Sequence, residues 1–297
     1  MASRVGASVE TTVYAEEAVE VFDSDLSKDL FQAKNVYKTP NRGAYGGQIV
    51  GQALRAAAKT LKDQSFLIRS FHCYFLKFVD PSVPTYYKVE KTRDGRSFCA
   101  RTVTCLQNEQ ATFQCLALFY KREEISAELN HKGCVMPDVP SPGGRPCNQP
   151  NYVLLADSRD FLGRTIDVQF CVPNNWSELL EHKKPVAPRG LVWIKAKGSD
   201  LHATDQNLQR AILAYMSDYS MARIVLLKYP EFKPGLLTSL DHTVWFHVPV
   251  QSNNWYLLDT ECEHAIGGSA LNIVRIFSED GTLVATARQE SLIRPKL

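Results

Sequence analysis

Apolar residues follow two different spacings along this chain, and the two alternate. From Gln209 to Asp218 (QRAILAYMSD), Ile212, Leu213, Tyr215 and Met216 recur at three- and four-residue steps. That spacing predicts a helix with one buried face, free to run on as far as Leu227. A second helix is predicted within Gln48 to Ala58, where Ile49, Val50, Ala53, Leu54 and Ala57 share a face and the later part is rich in strong helix formers. A turn of small residues, Gly43-Ala44-Tyr45-Gly46-Gly47, leads into it. The glycines there and at Gly51 predict close packing of this helix on a sheet.

After each helix the pattern changes to strands. Ile68–Leu76, Tyr86–Lys91, Ser97–Leu106 and Ala111–Tyr120 follow the first, with turns at Asp94-Gly95 and Gln107-Asn108-Glu109. Ser239–His247, Trp255–Cys262, Ser269–Phe277 and Leu283–Ile293 follow the second, with turns at Gln251-Ser252-Asn253-Asn254, Gly267-Gly268 and Glu279-Asp280-Gly281. Phe71–Leu76 matches Asp241–Phe246 in pattern, which sets His72 against His242, and the spacing to the next serine-led strand is nearly the same in both halves. The order helix–meander, helix–meander predicts an α+β protein built by duplication. We divide it into an N-terminal unit (1–124), a connecting region (125–200) and a C-terminal unit (201–297). The connecting region is proline-spaced, with a helical piece predicted at Trp176–His182 and a strand at Leu191–Ala196.

Composition narrows the function. The 297 residues are 44% hydrophobic and 22% charged, as in a globular protein. A net charge of +2 gives no reason to expect nucleic acid or an anionic membrane as partner. No apolar run is long enough to span a bilayer, and the first thirty residues lack the pattern of a secretory signal. The eight cysteines form no C-x-x-C pair and read as free core thiols of a reducing compartment. The chain ends in Pro295-Lys296-Leu297, close to the peroxisomal address Ser-Lys-Leu but with proline at its first position.

The chemistry-bearing motifs exclude several classes. There is no G-x-S-x-G elbow, no phosphate-binding loop and no G-x-G-x-x-G. Glu261, Glu263 and His264 lack the partners of a metal site, so neither metal nor cofactor is expected. Lys183, Lys184, Arg189, Lys195 and Lys197 read either as contacts for phosphates or as a solvated face. Asp218, beside an apolar stripe, is costly to bury unless something requires it there.

Five segments together resemble the type II acyl-CoA thioesterases, and within them the peroxisomal group. They are Gly46-Gly47-Gln48-Ile49-Val50-Gly51-Gln52-Ala53-Leu54, His72-Cys73-Tyr74-Phe75, Ala214-Tyr215-Met216-Ser217-Asp218-Tyr219, Ser239-Leu240-Asp241-His242 with Trp245-Phe246-His247, and Arg288-Gln289-Glu290. The resemblance spans both halves and is weakest over 125–200. It implies a double hot dog, two helix-plus-antiparallel-sheet units whose sheets join edge to edge. It also implies a catalytic triad of Asp218, Ser239 and Gln289, acting on an acyl-CoA substrate. Two positions depart from the family pattern: Ser291 stands where glycine is usual after Gln-Glu, and Ala270-Leu271 where an arginine is usual after Gly267-Gly268-Ser269.

These residue types suit thioester hydrolysis. A carboxylate can take a proton from water, and a hydroxyl and an amide can hold that water toward an electrophilic carbonyl. Oxyanion donors are expected at a helix N-terminus such as that of the Gly47 helix. The first half has no matching triad: Gln52 or Arg55 stands near the place of the aspartate, so one active site is expected. The rival readings are an enoyl-CoA hydratase and a noncatalytic acyl-CoA carrier. The resemblance further implies a homodimer, a peroxisomal import receptor as partner of the C-terminal tripeptide, and a peroxisomal or, alternatively, cytoplasmic location.

Overall fold

The computed structural model describes residues 14–39, 43–121, 131, 133–144, 147–148, 151–156, 162, 165–198 and 204–296. A short helix α1 (Ala15–Ala18) and two short strands, β1 (Val21–Asp23) and β2 (Leu30–Ala33), precede the first long helix, α2 (Gly46–Lys59). Four long strands follow: β3 (Phe66–Phe75), β4 (Tyr86–Asp94), β5 (Phe98–Gln107) and β6 (Gln110–Lys121). The β5–β6 turn places Asn108 and Glu109 at positive φ (48° and 63°), the conformation a tight hairpin turn needs.

The second half begins earlier than its helix. The stretch read from the sequence as a connecting region carries β7 (Tyr152–Ala156), β8 (Ile166–Pro173), helix α3 (Trp176–Glu181) and β9 (Arg189–Ala196). These are sheet strands, with β9 hydrogen-bonded along β12 from Tyr256↔Ile194 to Glu261↔Arg189. We therefore propose a C-terminal unit that takes in β7 to β9, larger than 201–297. Then come α4 (Gln206–Ser217), a 3-10 helix (Met221–Lys228), β10 (Pro234–Ser239), β11 (Asp241–Phe246), β12 (Tyr256–Ile266), β13 (Ser269–Ser278) and β14 (Leu283–Pro295).

The fourteen strands of the described residues form one antiparallel sheet in the order β1-β2-β4-β5-β6-β3-β11-β14-β13-β12-β9-β8-β7, with β10 paired to β14. The halves join where β3 meets β11, from Asp241↔Tyr74 to Trp245↔Ser70. This is the double hot dog: each half contributes a helix and a curled meander, and two inner strand edges are closed by pairing with each other. Burial sets the two histidines aligned from the sequence apart. His72 lies on the exposed outer face of β3, whereas His242 is fully buried, and it is Cys73 that sits opposite His242. A slip of one residue moves a side chain to the other face of a strand.

The two long helices meet at backbone distance. A Cβ on Gly47 would lie 2.3 Å from the Tyr215 carbonyl, and one on Gly51 would lie 3.1 Å from the Ala211 carbonyl. The glycines thus fit helix against helix, not helix against sheet as the sequence predicts. Since 47 faces 215 and 51 faces 211, α2 and α4 run antiparallel.

Helix α4 differs from its sequence-based outline in two ways. It starts at Gln206, where Asp205 accepts a hydrogen bond from the Leu208 amide (3.0 Å), and it ends at Ser217. Ser220, at φ 62°, breaks the helical path before the 3-10 segment. The helix is also buried on every side from Asn207 to Ser217. Its polar residues are matched: Asn207 bonds the backbone of Ile68 and Phe66 at 2.9 Å, Gln209 accepts from the Ser252 amide and hydroxyl at 2.7 Å, and Arg210 donates to the Ile68 carbonyl.

Candidate active site

The site forms where three lines of backbone converge. One is the C-terminal end of α4, which presents Asp218. Another is the N-terminus of α2, where the Gly47 amide donates to Asp218 Oδ2 at 2.8 Å. Gly46 lies against the same oxygen: a Cβ there would stand 3.0 Å from Oδ2 and 3.1 Å from the Phe75 ring. The last is the sheet around β10, β11 and β14.

The sheet is irregular at this point, and the irregularity sets the geometry. Strand β14 pairs with β10 through Ser239↔Ser291 and with β11 through Thr243↔Arg288. Between them Leu240 donates to the Glu290 carbonyl (2.8 Å), and Asp241 Oδ1 accepts from the Glu290 amide (2.7 Å). This pinch brings Ser239 and Gln289 side by side. Gln289 Nε2 donates to Ser239 Oγ at 2.7 Å, and the same amide hydrogen-bonds the Asp218 carboxylate. Asp218, Gln289 and Ser239, named from the sequence, therefore occupy one cluster.

Electrostatics at the cluster favours a carboxyl group that holds its proton near neutrality. Burial pushes the Asp218 pKa from 3.8 up to about 7, against the opposing pull of the Gly47 amide and Gln289. Among the described residues no cation pairs with it. Its surroundings are aromatic: Tyr45 and Tyr215 meet edge to face at 5.4 Å, and Phe75 packs on Phe113 at 5.5 Å. Cys73, across from His242, is buried, and its thiol is pushed well above the ordinary range.

Several sequence-based candidates have other occupations. The Gly47 amide, taken as an oxyanion donor, is engaged by Asp218. Gln52 donates to the Ala18 and Asn35 carbonyls and accepts from Tyr87 (2.6 Å), while Arg55 pairs with Asp205 at 2.8 Å. Of the basic residues, Lys183 pairs with Glu231, Lys184 with Glu178, Lys197 with Asp167, and Arg189 grips Asp259 through two bonds of 2.7 and 2.9 Å. Glu261 and Glu263 face Arg275 and Arg288.

Two further residues stand near the cluster, and of these Asn272 carried no signal in the sequence. Asn272, on β13 opposite Gln289, is fully buried and reaches Ser291 Oγ at 3.3 Å. His242 is buried with Nε2 2.9 Å from Ser217 Oγ.

Comparison with known proteins matches both halves. Residues 37–120 fit the model of the acyl-CoA thioesterase N-terminal domain, and residues 146–293 fit that of the acyl-CoA thioesterase C-terminal domain. Human acyl-coenzyme A thioesterase 8 is 33% identical over 285 residues, covering 91% of this chain and 86% of the relative. The chain belongs to the type II acyl-CoA thioesterases. Acyl-CoA thioesterase 2 of Haemophilus influenzae is 32% identical over 266 residues, covering 85% of this chain and 88% of that one. Among solved structures, the acyl-CoA thioesterase II TesB2 of Mycobacterium marinum superposes with a TM-score of 0.73 at 28% identity, covering 95% of this chain and 97% of its own. Members of this family are thioester hydrolases, and the second family model starts within the stretch that supplies β7 to β9.

Proposed function

We infer that this thioesterase hydrolyses fatty acyl-CoA to the free acid and CoA, with Asp218 as general base and with Gln289 and Ser239 orienting the attacking water. The observation that carries the reading is the joint placement of a buried, cation-free carboxylate, an amide bonded to it, and a hydroxyl bonded to that amide. A base whose pKa lies near 7 combines a useful ionised fraction at neutral pH with real proton affinity.

The steps follow from these atoms. Asp218 accepts a proton as water oxygen bonds to the thioester carbonyl carbon. The tetrahedral adduct collapses, the C–S bond breaks, and the CoA sulfur leaves with the electron pair. The proton held on Asp218 then passes to that sulfur, which restores the carboxylate. Gln289 and the Gly47 amide stabilise the ionised Asp218 before each turnover, and Ser239 fixes the amide from the other side. Neither an enoyl-CoA hydratase nor a carrier would release CoA thiol, so a thiol-release assay on palmitoyl-CoA separates the three. Loss of turnover in a folded Asp218→Asn variant supports the reading, and wild-type turnover in that variant would remove it.

The same reading places the enzyme in peroxisomes, as a homodimer brought there by an import receptor that binds Pro295-Lys296-Leu297. Support comes from the tail itself and from a relative in Saccharomyces cerevisiae named peroxisomal acyl-coenzyme A thioester hydrolase 1. Pro295 is still paired with Pro234 in the sheet, so receptor binding requires the end of β14 to peel away. Imaging of the tagged chain with and without its last three residues tests the address, and sedimentation tests the dimer.

A further inference from the structure

One side chain bridges the cluster and the helix that carries its carboxylate, with no part in the steps above. His242, on β11, is fully buried. Its Nε2 lies 2.9 Å from the hydroxyl of Ser217, the residue before Asp218. Among the described residues its Nδ1 is buried without a hydrogen-bond partner, and so is Gln289 Oε1. The Gln289 amide stands close enough to the ring to favour a proton on it. Leaving such atoms unpaired is costly, and each is the complement of the other.

A glutamine amide has two orientations, and only one suits an ionised Asp218. With Nε2 toward Asp218 and Ser239, a donor meets two acceptors. Turned over, Oε1 would face the carboxylate. Ser239 alone does not prevent this, because a hydroxyl accepts from Nε2 or donates to Oε1 equally well. The atom on the far side of the amide has to decide.

We propose that His242 is a positioning residue for thioester hydrolysis: its Nδ1–H donates to Gln289 Oε1 and thereby holds Gln289 Nε2 toward Asp218 and Ser239. Ser217, whose hydroxyl also lies 2.9 Å from the Ala214 carbonyl, must then give its proton to Nε2 in place of that carbonyl. Burial holds the imidazole pKa down at about 4, so the ring stays neutral wherever the enzyme works. The other titratable groups around it are Asp218 beyond α4, the Cys73 thiol on β3, which bonds the His242 carbonyl at 3.1 Å, and Asp241 on its own strand. The inference rests on the reading of Asp218 as base and adds what keeps the donor of that base in place.

Three substitutions separate the two ring nitrogens. His242→Asn keeps a donor near the Nδ1 position, His242→Gln keeps a polar atom near Nε2 only, and His242→Leu keeps neither. On palmitoyl-CoA we expect kcat within about 5-fold of wild type for His242→Asn, and about 30- to 100-fold lower for the other two, with KM changed less than about 3-fold. Loss of the Gln289 donor also weakens ionised Asp218, so the acidic limb of the kcat–pH profile shifts to higher pH in His242→Gln and His242→Leu but not in His242→Asn. A purely structural role would lower the melting temperature without moving that limb. Where the variants do not fold, 15N NMR of the wild-type imidazole near pH 8 decides. A proton on Nδ1 supports the proposal. A proton on Nε2 overturns it, because Gln289 would then donate to the ring and turn its oxygen to Asp218. Equal kcat and limb in His242→Asn and His242→Gln also overturns it. Asp218→Asn, run beside them, tests the base reading separately, since wild-type turnover there removes the base whatever His242 does.

Discussion

Helix α4 carries a carboxylate at each end, and the two are treated differently. Asp205, before the first turn, keeps a side chain 37% exposed, caps the Leu208 amide and pairs with Arg55 of α2 at 2.8 Å. Asp218, after the last turn, is buried against the start of α2, with amide donors and no cation. Because α2 and α4 run antiparallel, each carboxylate meets the same partner helix, but Asp205 meets its cationic later part and Asp218 meets bare backbone. A cation beside a carboxylate fixes its charge and removes its basicity. Amide donors alone hold it in place and leave it able to take a proton. One duplicated frame thus gives a structural end and a chemical end, and the difference rests on the arginine.

The largest effect expected from breaking this comparison is on turnover. Asp218→Asn should lower kcat by about 10³-fold with the fold intact, while Asp205→Asn should leave kcat within a few-fold, both read by thiol release. Next in size, Gln289→Ala and Ser239→Ala should each lower kcat by about 10- to 100-fold, with the glutamine variant also moving the acidic limb upward because its amide no longer supports the carboxylate.

Stability should show the same division with opposite sign. The unfolded chain releases the Asp218 proton near 3.8 and the folded chain near 7, so stability falls as pH rises across that window and stays lower above it. His242 acts in reverse: the unfolded chain protonates it below 6.5 and the folded chain resists to about 4, so stability falls as pH drops through that range. In the wild type the two slopes oppose each other. In Asp218→Asn only the His242 slope of this pair remains, and near pH 8 the variant should be about 4 kcal/mol more stable than wild type in urea unfolding. The smallest change is at the other end: Asp205→Asn keeps its cap but loses the ion pair, and should cost about 0.5–1 kcal/mol.

The meanders were legible in the sequence because their strands alternate cleanly; β5 reads buried at every second residue from Cys99 to Gln107. Strands β7 and β8 were not legible. Tyr152–Ala156 has no buried residue, Ile166–Pro173 buries both Cys171 and Val172, and prolines surround them. Helix α4 showed its apolar positions, but the burial of Asn207, Gln209 and Arg210 depends on β3 and the 250–252 loop, which lie far away in sequence. Asp218, Ser239 and Gln289 were named through the family resemblance. What could not be read was the pinch at Leu240 and Asp241 that sets Ser239 beside Gln289.

The most direct test of the account is CoA-thiol release from palmitoyl-CoA, followed between about pH 5 and pH 9 for the wild type and Asp218→Asn. Wild-type kcat should climb with pH and level off above a limb near 7, set by Asp218, and the variant should be folded, nearly inactive and without that limb. A variant that keeps both the turnover and the limb would contradict it.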